Sequence, residues 1–280
     1  MYSAFLQDQI EVGPQIKILA GVRLDSYSQR DVSNLVASPA SGNAVTPRLG
    51  LVWQPQAETA LFAGWSRSFL PQLGADFSGN AFQPEHGEQY ELGIKQDLVA
   101  DRLSATFAAF NIRRQNVLVT DPNNPGFSLQ TGEQRSRGVE LDLAGEFRPG
   151  WRALVTGAYT DAEITRDSTF VAGRRLTGVP LWSGSFWTTY ELQQGRLEGL
   201  LLGGGVFLVS PRAGDLSNSF RVGGYTRVDA TISYPIAPQV RVALTARNLF
   251  DANYIEAPVS RTENYPGTPR TILASLKLRF

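Results

Sequence analysis

The sequence predicts an all-β protein: an antiparallel transmembrane β-barrel segment of about 13 strands, short turns at one rim and long loops at the other. Three observations predict it. The first is the last nine residues, Ile272-Leu-Ala-Ser-Leu-Lys-Leu-Arg-Phe280. Ile272, Ala274, Leu276, Leu278 and Phe280 alternate with polar Ser275, Lys277 and Arg279. That is period two, one greasy face and one wet face. The second is that the same dyad recurs along the chain. The third is that short and long connections alternate without a break, which gives a meander two unlike ends.

Taken in order, the strands are expected near 2–11, 15–26, 45–54, 58–69, 88–99, 102–114, 135–147, 151–164, 180–192, 197–209, 223–235, 239–250 and 268–280. Short turns fall at Val12-Gly-Pro, Gln54-Pro-Gln, Val99-Ala-Asp, Arg148-Pro-Gly, Gln193-Gln-Gly and Ile236-Ala-Pro. Gly and Pro supply the backbone angles a tight reversal needs. Long polar segments lie between them at 27–44, 70–87, 115–134, 165–179, 210–222 and 251–267. In a membrane barrel the short connections are periplasmic turns and the long ones extracellular loops.

The two faces differ in kind. Ile16, Ile18, Ala20, Val22 and Leu24 oppose Lys17, Gly21, Arg23 and Asp25. Tyr90, Leu92 and Ile94 oppose Glu91, Lys95 and Asp97, and Val139, Leu141 and Leu143 oppose Glu140 and Asp142. Val228, Ala230, Ile232 and Tyr234 oppose Arg227, Asp229, Thr231 and Ser233. Val240, Val242, Leu244 and Ala246 oppose Arg241, Thr245 and Arg247. Charges of both signs need water or a partner, since dry burial costs several kcal/mol each. A hydrated lumen provides it. Aromatics near strand ends (Trp53, Trp65, Phe69, Tyr90, Trp151, Tyr190, Tyr234, Phe250 and Phe280) suit the interfacial girdles of such a barrel.

Composition excludes other classes. The 26 basic and 26 acidic residues of this 280-residue chain balance, so no nucleic-acid footprint is present. Cysteine is absent and histidine occurs once, leaving neither a disulfide framework nor the makings of a transition-metal site. No apolar run approaches the ~20 residues of a helical span, which leaves barrels untouched. The N-terminal Met1-Tyr-Ser-Ala-Phe-Leu-Gln-Asp has no basic segment followed by an apolar core, so no signal peptide is expected in this chain.

Several segments resemble the C-terminal portion of a TonB-dependent siderophore receptor. They are Thr46-Pro-Arg-Leu-Gly-Leu-Val-Trp-Gln-Pro55, Leu61-Phe-Ala-Gly-Trp-Ser-Arg-Ser-Phe-Leu-Pro-Gln72 and Pro84-Glu-His-Gly-Glu-Gln-Tyr-Glu-Leu-Gly-Ile-Lys95. Asn116-Val-Leu-Val-Thr-Asp-Pro122 and Gln130-Thr-Gly-Glu-Gln-Arg-Ser-Arg-Gly-Val-Glu-Leu141 follow. Tyr225-Thr-Arg-Val-Asp229, Asn248-Leu-Phe-Asp251 with Tyr254, and Tyr265-Pro-Gly-Thr-Pro-Arg270 complete the series, in family order. The 121–138 segment is most similar to receptors for ferric hydroxamates of the ferrichrome kind. The resemblance implies that residues 1–280 are the C-terminal part of a 22-stranded barrel in the Gram-negative cell outer membrane, with plug domain and N-terminal strands absent. It implies a ferric siderophore as ligand, outer-membrane lipid as surroundings, and TonB–ExbB–ExbD as partners only through the missing plug. The missing N-terminal barrel half would be a further partner, leaving the first strand with an open edge.

Function follows as ferric-siderophore uptake by the parent receptor; a passive porin-like barrel and a soluble β-sandwich module are the rivals. Energised uptake by this chain alone is not expected. No enzyme is expected: no Ser-His-Asp set is found, a single histidine makes one hard to build, and Glu91/Asp97 and Glu140/Asp142 fit a lumen wall. His86 reads as a solvated loop residue, and Gly203-Gly-Gly205 as close packing within a strand, since no Lys-Ser/Thr follows. The iron arrives wrapped by its chelator, so no cofactor and no protein metal ligand are expected. Aromatic and hydrogen-bonding loop groups are the candidate ligand contacts: Phe69, Gln72, Phe77 and Phe82 in one loop, Tyr225 and Tyr254 near others.

Overall fold

The computed structural model describes residues 1–33, 36–99, 102–121, 123–124 and 126–279. Every regular element among them is a strand. The main ones are β1 (Tyr2–Val12), β2 (Ile16–Ser33), β3 (Val36–Gln56), β4 (Thr59–Leu70), β5 (Glu85–Val99), β6 (Leu103–Thr120), β7 (Ser128–Arg148), β8 (Trp151–Arg166), β9 (Trp182–Glu191) and β10 (Leu201–Val209). The short pair β11 (Arg212–Ala213) and β12 (Arg221–Val222) precedes β13 (Tyr225–Ala237) and β14 (Val240–Arg247). A second short pair, β15 (Ile255–Pro258) and β16 (Asn264–Pro266), precedes β17 (Thr271–Leu278).

Thirteen strands form one sheet in the order β1-β2-β3-β4-β5-β6-β7-β8-β9-β10-β13-β14-β17, with β1 and β17 at the two ends of that order. Each neighbour with a resolved register is antiparallel, as a hairpin meander dictates. The β3–β4 ladder runs from Gln56 to Arg48 and stops at Pro47, which has no N–H to give. Two compact units share these strands: Met1–Ile94, Ala108–Gly138 and Asp161–Leu176 form one, and Lys95–Phe107, Val139–Thr160 and Thr177–Phe280 the other.

The expected faces are observed. Large apolar side chains at Leu24, Leu49, Leu51, Tyr90, Leu92, Leu141, Phe186, Leu202, Ile232, Leu244 and Leu276 are exposed. An apolar surface on that scale marks a face that meets lipid or a partner rather than water. Across the sheet the opposite face pairs its polar groups. Arg23 binds Asp25 at 2.9 Å, Arg114 binds Glu85 at 2.7 Å, and Thr156 and Ser185 meet at 2.8 Å. Near the short-turn rim of the second unit, Phe147, Trp151 and Tyr190 stack in sequence, with centroids 4.8 and 5.9 Å apart. At that rim Gly145 has φ +147° and the Cβ of any other residue would run into the Arg102 carbonyl. Only glycine fits.

The structure corrects several boundaries. Segments 27–44 and 115–134 are not loops for most of their length, because β2–β3 and β6–β7 continue as long hairpins with strands of 18 to 21 residues. A membrane needs only ~9–11 residues per strand, so these ladders extend well past it. Their sequences lack a clean apolar–polar alternation, so a periodicity reading passes over them. His86 lies inside β5, exposed, rather than in a loop. The connection around Gln193 is a longer turn from Leu192 to Leu200, closed by Leu192 N–H donating to the Leu200 carbonyl at 2.9 Å. The last strand starts at Thr271, later than expected, and Phe280, Ala100 and Asp101 lie outside the described residues. Gly203 and Gly205 sit in β10 as expected, where a Cβ would press on Thr231 or Trp187.

Candidate ligand-binding surface

In the second unit the polar face of β13 carries a compact aromatic and cationic cluster. Tyr225, at the first residue of β13, stacks on Tyr254 with centroids 4.1 Å apart and planes at 24°. Arg212 is 3% exposed, with its guanidinium 5.7 Å from the Tyr225 ring centre. It donates to the carbonyls of Ile255 and Glu256, and its Nη1, out of contact with solvent, has no partner among the described residues. One turn of the dyad further on, Arg227 donates to Asp229 at 3.1 Å and lies 4.4 Å from the Phe207 ring centre. Cation–π contact with a desolvated guanidinium is worth ~0.5–2 kcal/mol, enough to fix a ring's orientation.

What holds Tyr254 in place is the corner after β14. Asn248 is 1% exposed and adopts φ +52°. Its amide donates to the carbonyls of Ala252 (2.9 Å) and Thr268 (3.0 Å), and its Oδ1 accepts from Ala252 N–H at 2.8 Å. Its own N–H donates to Asp229 at 2.9 Å, tying the corner to the Arg227 pair. Asp251, also left-handed at φ +54°, accepts the Arg270 N–H at 2.8 Å. Asparagine and aspartate tolerate that conformation because their short side chains bond locally. Gly267 completes the seat, since a Cβ there would overlap the Tyr254 ring.

The first unit presents a second, more exposed aromatic pair. Phe77 and Phe127 meet edge to face at 5.2 Å and 89°, and both stay exposed. Phe77 projects from segment 71–84, where Asp76 accepts from the Asn80 N–H and Asn80 Nδ2, each at 2.9 Å. Those bonds from Asn80 hold the Asp76 carboxyl below its ordinary range. Phe127 closes a turn in which Asp121 accepts from Asn123 N–H at 2.8 Å and Asn124 Nδ2 at 2.9 Å. The Asn124 contact likewise lowers the Asp121 carboxyl, against its burial and the like charge of Asp76. The two segments are joined by Gln130, which accepts the Gln83 N–H at 2.7 Å and donates back to the Gln83 carbonyl.

Of the six residues singled out in the sequence, the structure joins Tyr225 to Tyr254. It separates the others: Phe77 pairs with Phe127, Phe69 packs on Tyr27 at 5.8 Å, and Phe82 lies against Gly74. Gln72 is half-buried in the same segment. Sequence reasoning missed Arg212, Phe207, Phe127 and the buried Asn248. Arg227 and Asp229 were legible as neighbours on one face of the Tyr-Thr-Arg-Val-Asp run, whereas Arg212 reaches Tyr225 only through a fold of the intervening segment.

A 13-stranded antiparallel sheet, apolar on one face and with an arginine–tyrosine cluster on the other, has the two-faced pattern of a membrane-barrel wall. Residues 1–249 match the family described as TonB dependent receptor-like, beta-barrel, and the chain belongs to that family. The metal-pseudopaline receptor CntO of Pseudomonas aeruginosa (strain UCBPP-PA14) is 41% identical over 288 residues, covering 98% of this chain and 40% of that protein. The ferrichrome outer membrane transporter/phage receptor of Escherichia coli (strain K12) is 31% identical over 282 residues, covering 99% of this chain and 38% of that protein. The crystal structure of the siderophore receptor PiuA from Acinetobacter baumannii superposes with a TM-score of 0.85 at 25% identity, over 99% of this chain and 42% of that one. The chain therefore spans about 40% of the length of these curated relatives.

Proposed function

We propose that this chain is wall and loop surface of a TonB-dependent outer-membrane receptor that takes up a metal held in an organic chelate. The observation that carries the reading is the Tyr225–Tyr254 stack clamped by Arg212 beside the Arg227–Asp229 pair. It offers flat aromatic area beside the partly exposed Arg227 guanidinium, which suits an anionic metal complex more than a bare ion. In the first unit, Phe77 and Phe127 form an exposed apolar surface of their own. The metal stays wrapped, so these groups recognise the chelator's surface and none acts as a metal ligand. Energised release runs through TonB acting on a plug in the complete receptor, outside this wall. The relatives, named as receptors and transporters, favour this over a passive pore.

Cargo choice deepens the same reading. The 41% identity to a metal-pseudopaline receptor, against 31% to a ferrichrome transporter, supports a metallophore of the first kind over a hydroxamate. The test is calorimetric titration of the complete receptor in detergent with metal–pseudopaline, ferrichrome and ferrioxamine B. Metal–pseudopaline is expected to bind tightest, and Tyr254→Ala to weaken it about tenfold or more. Equal affinity in wild type and variant, or no binding of any chelate, would overturn the assignment.

A further inference from the structure

On the polar face of the second unit, toward the short turns, a hollow of about 380 Å³ opens. Its walls include Arg102, Glu146, Arg152, Leu154, Trp187 and Thr189. Register sets the strand residues on one face: Arg152 stands opposite Thr189, and Leu154 opposite Trp187. Phe186 and Tyr190, of the other phase, belong to the exposed apolar face. Leu154 and Trp187 are apolar where the same polar face carries Thr156 and Ser185 one step on, and Arg152 and Thr189 one step back. Leu154 is 43% exposed. An open leucine beside an indole on a wet face offers an apolar contact that the wall itself does not use.

The glycines of β10 connect this hollow to the aromatic cluster. Gly205 pairs with Trp187 on one side and Asp229 on the other. A Cβ at Gly205 would stand 2.5 Å from Trp187 Cε3, and one at Gly203 2.7 Å from Thr231 Cγ2. Bare backbone there lets the indole lie against β10, two residues from the rung where Phe207 faces Arg227. Two strand residues span about 7 Å. Ring and guanidinium therefore recur along the face at a spacing that a small complex can step across.

The charges are layered. Glu146 accepts from Arg102 Nη2 at 3.3 Å, from Arg152 Nε at 3.5 Å and from the Gly150 N–H at 3.2 Å. Its side chain is 26% exposed, against 41% for Arg102 and 71% for Arg152. An entering group meets guanidinium first, and Glu146 closes neither fork in bidentate fashion.

We propose that the hollow is a second chelate subsite, which receives an anionic, carboxylate-bearing metal complex once it leaves the Tyr225–Arg227 cluster. Arg102 and Arg152 take the carboxylates, and Trp187 and Leu154 take the apolar surface of the complex. The volume suits it, since small-molecule sites run from roughly 300 to 1,000 Å³. The inference rests on the chelate-uptake reading and adds a place where the cargo pauses on its way inward.

The experiment is photo-crosslinking in cells making the complete receptor, with and without TonB. A photoreactive derivative of metal–pseudopaline is the probe, and labelled strands are mapped by mass spectrometry. Label is expected in β13 under both conditions, and in β8 and β9 only with TonB, which must act before cargo passes inward. Arg102→Gln with Arg152→Gln should lower both the β8–β9 label and the maximal uptake rate about fivefold. The half-saturating concentration, set at the outer cluster, should not change. Arg102→Lys with Arg152→Lys should recover most of the loss. Should the glutamine pair fail to fold, Leu154→Trp, which fills the hollow and leaves the charges, must still lower label and rate. Lys277→Gln, paired with Arg241 elsewhere on the same face, should change neither. Label in β13 but never in β8 or β9, or a rate unmoved by both sets of variants, would overturn the subsite alone. No label in any of these strands would overturn the uptake reading and the subsite with it.

Discussion

The two aromatic pairs of this chain are held by different means. Tyr225 begins a sheet strand, and Tyr254 is seated by a buried asparagine corner and a glycine that leaves it room. Phe77 and Phe127 ride on turns shaped by Asp–Asn bonds, exposed at Asp76–Asn80 and part-buried at Asp121–Asn124. The first pair inherits the rigidity of the sheet, since moving it means breaking bonds in the wall. Phe77, in the second, can shift with its loop at little cost, because the exposed Asp76–Asn80 hydrogen bonds exchange readily with water. The first pair is thus a preformed surface and the second an adaptable one, each within its own unit.

The comparison depends first on the phase of β13 and β14, so the largest expected effect tests that phase. Leu244→Arg places a charge on the apolar face and should cost about 2–4 kcal/mol if it lies near mid-bilayer. Thr245→Arg, on the face where Thr231 and Thr245 share a hydrogen bond at 3.0 Å, should be near neutral. Urea titration of the receptor in lipid vesicles measures both. Equal costs would move Tyr225 to the wrong face and end the comparison.

Next in size is Asn248→Ala, expected to lose about 3 kcal/mol in the same titration. It strands two part-buried carbonyls and one N–H, and forces alanine into a left-handed conformation. Chelate affinity should fall with it, because the corner carries Tyr254. A variant with native stability would mean the corner is not what seats that ring. Gly267→Ala isolates the ring itself. Its Cβ overlaps Tyr254, so the stack must open, and about 1 kcal/mol of ring–ring contact is lost. Chelate binding should weaken with little change in global stability. An unaltered affinity would show that the stack takes no part in recognition.

Smaller still is the loop pair. A double-mutant cycle on Phe77→Ala and Phe127→Ala should give a coupling of about 0.5–1 kcal/mol in chelate binding and almost none in stability. A coupling in stability as large as in binding would make the pair structural packing.

Much of this was legible in the sequence, for a definable reason. The strands that cross the membrane have one apolar and one polar face, and their period of two sets both their number and their phase. Thus all thirteen strands of the sheet have counterparts in the sequence reading, and Leu244 and Thr245 fall on the faces assigned to them. Beyond the membrane the contrast vanishes. The stretches 27–44, 115–120 and 128–134 carry residues such as Gln115, Gln130, Glu133 and Gln134 where the apolar–polar alternation would continue, so the continuations of β6, β7 and the β2–β3 hairpin read as polar loops. The site was legible as residues and not as partners. Tyr225 and Tyr254 are aromatic loop-end residues in any reading, but their stacking requires the Asn248 corner, whose bonds reach to Thr268. Register and folded-back segments are set by contacts far apart in sequence, which no local pattern carries.

The smallest predicted effect is one of pH, and it falls on the loop pair. Asp76 and Asp121 both have carboxyls below their ordinary range, chiefly through hydrogen bonds from Asn80 and Asn124. A carboxylate depressed in the folded state contributes order that is fully present above its unfolded value of ~3.9 and is lost as pH falls through the lower folded value. Acidification to that range should therefore free Phe77 from its turn, while the Asn248 amide bonds, which exchange no proton there, persist. The chain has no cysteine, so a single spin label at Ser78→Cys reports on segment 71–84 alone. Label mobility should stay constant from neutral pH down to ~4 and rise below it. In an Asp76→Asn background the asparagine cannot titrate, and mobility should be pH-independent and higher than wild type throughout. A label that loosens well above the ordinary carboxylate range, or that keeps its acid transition in the Asp76→Asn protein, would show that something other than the Asp76–Asn80 bonds holds this loop.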